Sequence, residues 1–242
     1  MRAPVVEVFA SVQGEGIYVG CRQVFVRFAG CNLACAYCDT AYAREEPGFC
    51  RVEDGPGSGR WRHLANPLTP EELAQALAGF PLHLYHSVSL TGGEPLLYPA
   101  FLRRLLPRLK GTRAGIYLET NGTLPAALEA VLDLVDVVAM DVKLPSVTGL
   151  RACWDLHRRF LELAARRTVF VKAVVGPATT VSEVLGAAAL VRDVAPDVPL
   201  VLQPVGPGGT HPAHLLELQA AALGLLGDVR IIPQTHRLMG LP

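Results

Sequence analysis

Two stretches near the start of the chain, residues 5–10 and 23–28, are dense in Val and Phe and read as β-strands. Ser11-Val12-Gln13-Gly14-Glu15-Gly16 lies between them as a polar turn punctuated by glycine. From residue 69 onward, helix-like and strand-like segments alternate. Thr69-Pro70-Glu71-Glu72 carries a helix start, with Thr as N-cap, Pro at the first helical position and Glu at the third, and opens a helix to about residue 79. Thr180-Val181-Ser182-Glu183 repeats the capping signal for a helix to about residue 193. Further helices are expected near 100–109, 125–134, 150–165 and 214–225, and strands near 87–90, 114–118, 137–142, 169–175, 200–203 and 229–232. This alternation predicts an α/β fold whose six or seven strands are mainly parallel and wrapped by helices, either a doubly wound sheet or an incomplete barrel. No G-x-G-x-x-G turn follows a strand, which weighs against a dinucleotide-binding fold. Residues 43–66 break the pattern, with four glycines and mixed charges. They read as a surface loop or partly mobile insertion in a single domain spanning 1–242; Cys50, Trp61 and His63 lie in it, and the lone Cys and His read as incidental rather than as ligands.

Composition narrows the class. The chain has 242 residues, half of them hydrophobic (50%) and 18% charged, enough to bury one substantial core. Its 22 basic and 22 acidic residues balance, so nothing marks a nucleic-acid or membrane-surface binder, while an anionic small molecule needs only a local cation. Met1-Arg2-Ala3-Pro4 lacks an apolar leader and no run of eighteen apolar residues occurs, so the expected setting is the reducing cytoplasm, with no membrane.

Nearly every expected strand ends in polar residues. Thr91-Gly92-Gly93-Glu94-Pro95, Glu119-Thr120-Asn121-Gly122, Asp141-Val142-Lys143, Lys172, Gln203-Pro204 and Pro233-Gln234-Thr235-His236 each follow an apolar run. In parallel α/β folds the carboxyl ends of the strands gather into one site, so these clusters are candidates for a shared pocket. Singly, each has a plainer reading: turn glycines, a helix N-terminal carboxylate, or an Asp141–Lys143 ion pair on one strand face.

Three of the six cysteines fall within eight residues, Cys31, Cys35 and Cys38, spaced C-x₃-C-x₂-C. A structural zinc site wants four ligands, and no partner C-x-x-C occurs elsewhere. Three thiolates suit a tetra-iron cluster with one iron left open for another ligand. The spacing alone leaves a zinc or electron-transfer site, or unligated thiols, as alternatives. Cys21, Cys50 and Cys153 read as core or loop thiols.

The C-x₃-C-x₂-C spacing resembles the signature of the radical S-adenosylmethionine (SAM) superfamily, and the Gly-Gly-Glu after a strand agrees with it. Glu7-x-Phe9-x-Ser11-x-Gln13-Gly14-Glu15-Gly16, Phe25-x-Arg27, Gly30-Cys31-Asn32-Leu33, Cys38-Asp39-Thr40, Glu119-Thr120-Asn121-Gly122, Asp141-Val142-Lys143-Leu144-Pro145-Ser146 and Pro233-Gln234-Thr235-His236 further resemble the 7-carboxy-7-deazaguanine synthases. Only residues 43–66 have no match.

That resemblance implies an incomplete (partial) TIM-type βα barrel of the radical SAM type. It implies a lyase that contracts the ring of 6-carboxy-5,6,7,8-tetrahydropterin, releasing ammonia and 7-carboxy-7-deazaguanine on the way to queuosine. A 5′-deoxyadenosyl radical would start the reaction, and SAM would be regenerated. A radical SAM activase of a glycyl-radical enzyme is the alternative that shares the cysteine spacing. The implied cofactors are a [4Fe-4S] cluster on Cys31, Cys35 and Cys38, SAM, and Mg²⁺ on Thr40. The implied substrate contacts are Gln13, Gly14, Glu15, Arg27, Thr91 and the terminal Pro242. The implied SAM-binding face is Tyr37, Cys38, Asp39, Gly93, Glu119, Asp141, Val142, Lys143, Gln203, Pro204, Val205 and Gly206. The Gly-Gly-Glu turn would meet the SAM amino group. An electron donor such as flavodoxin or ferredoxin and a homodimer are also implied.

Overall fold

The computed structural model describes residues 1–206 and 209–241. Ten strands form one sheet: β1 (Val5–Val12), β2 (Arg22–Phe28), β3 (Phe49–Glu53), β4 (Trp61–Ala65), β5 (Ser87–Gly92), β6 (Ile116–Thr120), β7 (Val137–Val142), β8 (Thr168–Val175), β9 (Leu200–Pro204) and β10 (Val229–Ile231). Their order is β10-β9-β8-β7-β6-β5-β2-β1-β3-β4. Every pairing from β2 through β5 to β10 is parallel, which makes seven parallel strands. β1 turns back antiparallel on β2. The order never returns on itself, so the barrel is incomplete, with β10 and β4 as its two edges.

Among the described residues eight α-helical segments accompany the strands: α1 (Pro70–Leu77), α2 (Pro99–Leu105), α3 (Pro125–Glu129), α4 (Pro145–Thr148), α5 (Trp154–Ala164), α6 (Val181–Val194), α7 (Pro212–Leu223) and α8 (Thr235–Leu238). Both expected capping boxes are formed, with Thr69 and Thr180 accepting from the amides of Glu72 and Glu183. The helix expected over 100–109 is cut short because Pro107 has no amide to donate, and the chain continues as a 3₁₀ turn. The helix expected from residue 150 starts at Trp154, after Gly149 ends the single turn α4 at φ +70°.

Strand alternation divides the side chains between two environments. On β8, Val169, Val171, Ala173 and Val175 enter the main core beneath the helices. Phe170, Lys172 and Val174 point the other way, into the barrel. At the bottom of the barrel Tyr117, Val137, Ala139, Phe170 and Val201 form a small apolar plug, closed by Ile17 and Tyr18. Gly16, at φ +64°, lies so close to Phe170 that a Cβ there would meet the ring at 2.3 Å. This plug is the floor on which the polar strand ends stand. Among the described residues no helix is long and apolar enough to cross a membrane.

Residues 43–66 are not the irregular insertion expected. β3 and β4 form an antiparallel hairpin, and β3 adds to the sheet through parallel pairing of Glu7 with Arg51 and Val8 with Val52. Period two is present in the sequence after all: Cys50 and Val52 are buried in the main core, whereas Phe49 and Arg51 are exposed. Gly55, Gly57 and Gly59 crowd the turn between the strands, and averaged over the segment they hide the alternation.

Candidate active site

The barrel interior above the apolar plug is a cavity of about 490 Å³. Its wall draws on the ends of β1, β2 and β5 to β9, on the cysteine loop, and on the segment leading into α8. Cys31, Cys35, Cys38 and Thr40 line it, together with Gln13, Gly14, Glu15, Arg27 and Thr91. So do Tyr37, Asp39, Gly93, Glu119, Asp141, Lys143, Gln203, Pro204, Val205 and Gly206. Two expected residues are not on this wall. Val142 lies between Asp141 and Lys143, so strand alternation sends its side chain into the main core, where it is fully buried. Pro242 lies outside the described residues.

The cysteine loop is held by its backbone. The Gly93 amide donates to the Phe28 carbonyl at 3.0 Å and the Glu94 amide to the Gly30 carbonyl at 2.8 Å, so the turn after β5 is laid directly under the loop after β2. A Cβ on Gly93 would sit 1.8 Å from the Gly30 oxygen, so only glycine permits this approach. Asn121 donates to Asn32 at 2.8 Å, and Asn32 to Thr123 at 2.9 Å, which ties the loop to the end of β6. The Leu33 amide lies 3.4 Å from the Cys31 sulfur.

Glu94 does not face the cavity. Its carboxylate is fully buried, accepts from the amides of Leu96 and Asn121 and from the Thr120 hydroxyl, and is absent from the cavity wall. Burial pushes this carboxyl up to about 7. Of the Gly-Gly-Glu turn it is therefore the glycines that line the cavity, and the Glu94 side chain clamps the turn that presents Gly93.

A chain of charges crosses the cavity. Lys143 donates to Asp141 at 2.7 Å and to the Tyr37 hydroxyl at 2.8 Å. Lys172, opposite Asp141 in the β7–β8 register, lies 3.6 Å from the same carboxylate oxygen and donates to Glu15. Burial acts to raise the Glu15 carboxyl, but the Lys172 charge and hydrogen bonds from Lys172 and Gln234 outweigh it and hold it at about 2. Gln234 bridges Glu15 at 2.6 Å and Asp39 at 2.8 Å, and Arg237 reaches Asp39 at 2.9 Å. The C-terminal segment thereby joins the β1–β2 turn to the cysteine loop.

A second group gathers around Glu119. Gln13 donates to its Oε1 at 2.8 Å, Ser89 at 3.3 Å, and Thr91 to its Oε2 at 2.6 Å. Glu119 was expected on the SAM-binding face; the structure ties it to two of the expected substrate contacts. Lys172, Gln234 and Arg237 belong to the site but were given no role from the sequence. The signals available were that Lys172 interrupts the apolar run of β8 and that Gln234 follows the run of β10.

The residues present suit the cofactors that C-x₃-C-x₂-C implies. Among the described residues no three His, Cys, Asp or Glu side chains are grouped as one metal ion requires. Thiolates sharing a single tetrahedral ion at about 2.3 Å would sit only about 3.8 Å apart. A four-iron cluster instead takes a thiolate at each of three separate corners. Burial raises the Cys31 and Cys35 thiols, so metal binding would be what makes them thiolates. Asp141 Oδ1 and Gln203 Oε1 are buried acceptors without a partner, as the hydroxyl and ammonium donors of SAM would supply. Thr40 makes no capping bond to the turn that follows it, and its Oγ1 lies 3.9 Å from the Cys38 sulfur, a hard oxygen donor for Mg²⁺ beside the cysteine loop. Five cations on the wall, Arg27, Arg44, Lys143, Lys172 and Arg237, outnumber four carboxylates, so a neutral protein carries a cavity fit for an anion.

Comparison with known proteins agrees with this architecture. The family model of the radical SAM superfamily matches residues 25–219. A 7-carboxy-7-deazaguanine synthase of Geobacter sulfurreducens is 46% identical over 98% of this chain and 97% of its own. One from Methanothermobacter thermautotrophicus is 38% identical over 100% of this chain and 98% of its own. The crystal structure of QueE from Escherichia coli superposes with a TM-score of 0.62 at 23% identity, covering 97% of this chain and 94% of that one, which bears on the fold. Matched end to end by such relatives, the chain belongs to the radical SAM superfamily and, within it, to the 7-carboxy-7-deazaguanine synthases.

Proposed function

We propose that this protein converts 6-carboxy-5,6,7,8-tetrahydropterin to 7-carboxy-7-deazaguanine and ammonia. Loss of ammonia accounts for every atom, so the overall conversion needs no net oxidant. The observation that carries the reading is that one cavity joins the three loop thiols to Gln13, Glu15, Arg27 and Thr91. The [4Fe-4S] cluster with SAM supplies hydrogen-atom abstraction once a reductant has delivered an electron.

The protein's own groups bind and orient. Cys31, Cys35 and Cys38 would hold the cluster, and Thr40 would give Mg²⁺ its protein ligand. Arg27 offers a planar fork to the substrate carboxylate. Gln13, Glu15, Thr91 and the Gly14 backbone present complementary polar groups to the pterin edge, where unpaired partners penalise the wrong ring. Glu119 belongs with this set through its bonds to Gln13 and Thr91. Tyr37, Asp39, Gly93, Asp141, Lys143 and the stretch from Gln203 to Gly206 form the SAM-binding wall, with Val142 contributing backbone only. Pro242, which lies outside the described residues, is proposed as a further substrate contact. The reading carries with it a cytoplasmic setting, a flavodoxin- or ferredoxin-type donor and a homodimer.

The test is anaerobic reconstitution with iron and sulfide, followed by SAM, Mg²⁺, a reductant and the carboxytetrahydropterin. Formation of the deazaguanine with equimolar ammonia is expected. An intact cluster that cleaves SAM yet yields no such product would overturn the reading.

A further inference from the structure

Arg27 enters the cavity from β2, and its direction is set from behind. Its Nε donates to Glu7 Oε1 at 2.8 Å, and its guanidinium lies 5.5 Å from the centre of the Phe9 ring. The rest of the fork is left for a ligand. Glu7 is only 5% exposed and is not itself on the cavity wall. Its Oε1 also accepts from the Tyr42 hydroxyl at 3.2 Å, and its Oε2 accepts from Arg51 at 2.6 Å. Arg51 comes from β3, in register with Glu7, and its guanidinium rests 5.0 Å from the Trp61 ring of β4.

The charge balance explains why a second arginine is needed. A carboxylate paired with Arg27 alone would form a neutral pair, and an incoming carboxylate would compete with Glu7 for it. Arg51 gives Glu7 a second cation, so the group of three keeps a net positive charge while Arg27 stays oriented. We infer that Glu7 and Arg51 are positioning residues for recognition of the substrate carboxylate, and that the β3–β4 hairpin exists at this site to deliver Arg51. The inference rests on the reading that Arg27 meets that carboxylate.

Arg51→Met tests it in the reconstituted enzyme. Its own side chain is half-exposed and screened by water, so KM for the carboxytetrahydropterin is expected to rise about fivefold. The same variant should keep kcat within about twofold, because only binding of the carboxylate is altered. KM for SAM and the Ki of a tetrahydropterin lacking the carboxyl group should not move. A merely structural role would move both. Arg51→Lys, which keeps the charge, should recover most of the loss. Trp61→Leu, which removes only the ring beneath Arg51, should raise KM in the same direction and serves if Arg51→Met does not fold. Arg27→Met is the control. If it leaves KM unchanged, the reading of Arg27 fails. If it raises KM while Arg51→Met and Trp61→Leu leave it unchanged, or shift the des-carboxy Ki equally, the positioning inference is overturned and the reading of Arg27 stands.

Discussion

Removing Lys172 should expose how the barrel interior is held together. In the intact protein Glu15 sits at about 2 against an ordinary 4.5. At about 1.36 kcal/mol per pH unit, that depression corresponds to roughly 3 kcal/mol of stabilisation. Because the folded value is lowered, this stabilisation is complete above 4.5 and is lost as pH falls toward 2. Lys172 is shifted the opposite way. Burial disfavours its charge, but Asp141 and Glu15 raise it above 10.5, so its contribution is complete below 10.5 and is lost only as pH rises beyond that. Across pH 5–8, roughly, the pair therefore contributes a constant amount. In Lys172→Met the burial of Glu15 persists and the opposing charge is gone, so its folded value moves above 4.5. Stability of the variant must then fall as pH rises through that range. Urea unfolding of the metal-free chain should show a deficit of about 3–5 kcal/mol near neutrality that narrows toward pH 5. A deficit that is pH-independent, or smaller than about 1 kcal/mol, would refute the linkage.

Gly93→Ala places a methyl 1.8 Å from the Gly30 oxygen and should displace the cysteine loop; iron bound per chain after reconstitution should drop sharply while the far-UV spectrum stays native. Thr91→Val removes the 2.6 Å bond to Glu119 and leaves that carboxylate one donor short, for which a rise in substrate KM of about tenfold is expected, with KM for SAM unmoved. Phe170→Ala takes the centre out of the apolar plug and should cost about 3–5 kcal/mol in urea unfolding, with no dependence on pH between about 5 and 8.

The fold was legible wherever a local signal agreed with the global one. Thr69 and Thr180 announce their helices because a hydroxyl and a following glutamate satisfy the same orphan amides in any context. The parallel order followed from strands separated by helix-length segments. The hairpin was missed because its signal is short. Cys50 and Val52 alternate with Phe49 and Arg51, but five residues beside a turn holding three glycines cannot be told from a loop by composition. What makes them a strand is the β1 edge, a partner more than forty residues away in sequence.

The site shows the same division between what a motif names and what packing decides. Glu94 belongs to the most recognisable turn after the cysteines, yet its carboxylate is spent entirely on backbone amides and a hydroxyl, and the glycine beside it is the group presented to the cavity. Glu119 opens a motif that placed it on the SAM-binding face, yet three donors, Gln13 just after β1 and Ser89 and Thr91 of β5, converge on it. Both carboxylates follow apolar runs in the sequence, so that position alone could not separate them. Direction separates them. The inward positions of β5 are Ser89 and Thr91, and their hydroxyls reach across to the inward Glu119 of the neighbouring strand, whereas Glu94 lies beyond the end of β5, where the chain has already turned under the cysteine loop. The same parity puts Asp141 and Lys143 in the cavity and Val142 in the core. A strand-end cluster therefore supplies ligands only through its inward members; the outward ones, and those past the turn, can only fix where the inward ones stand.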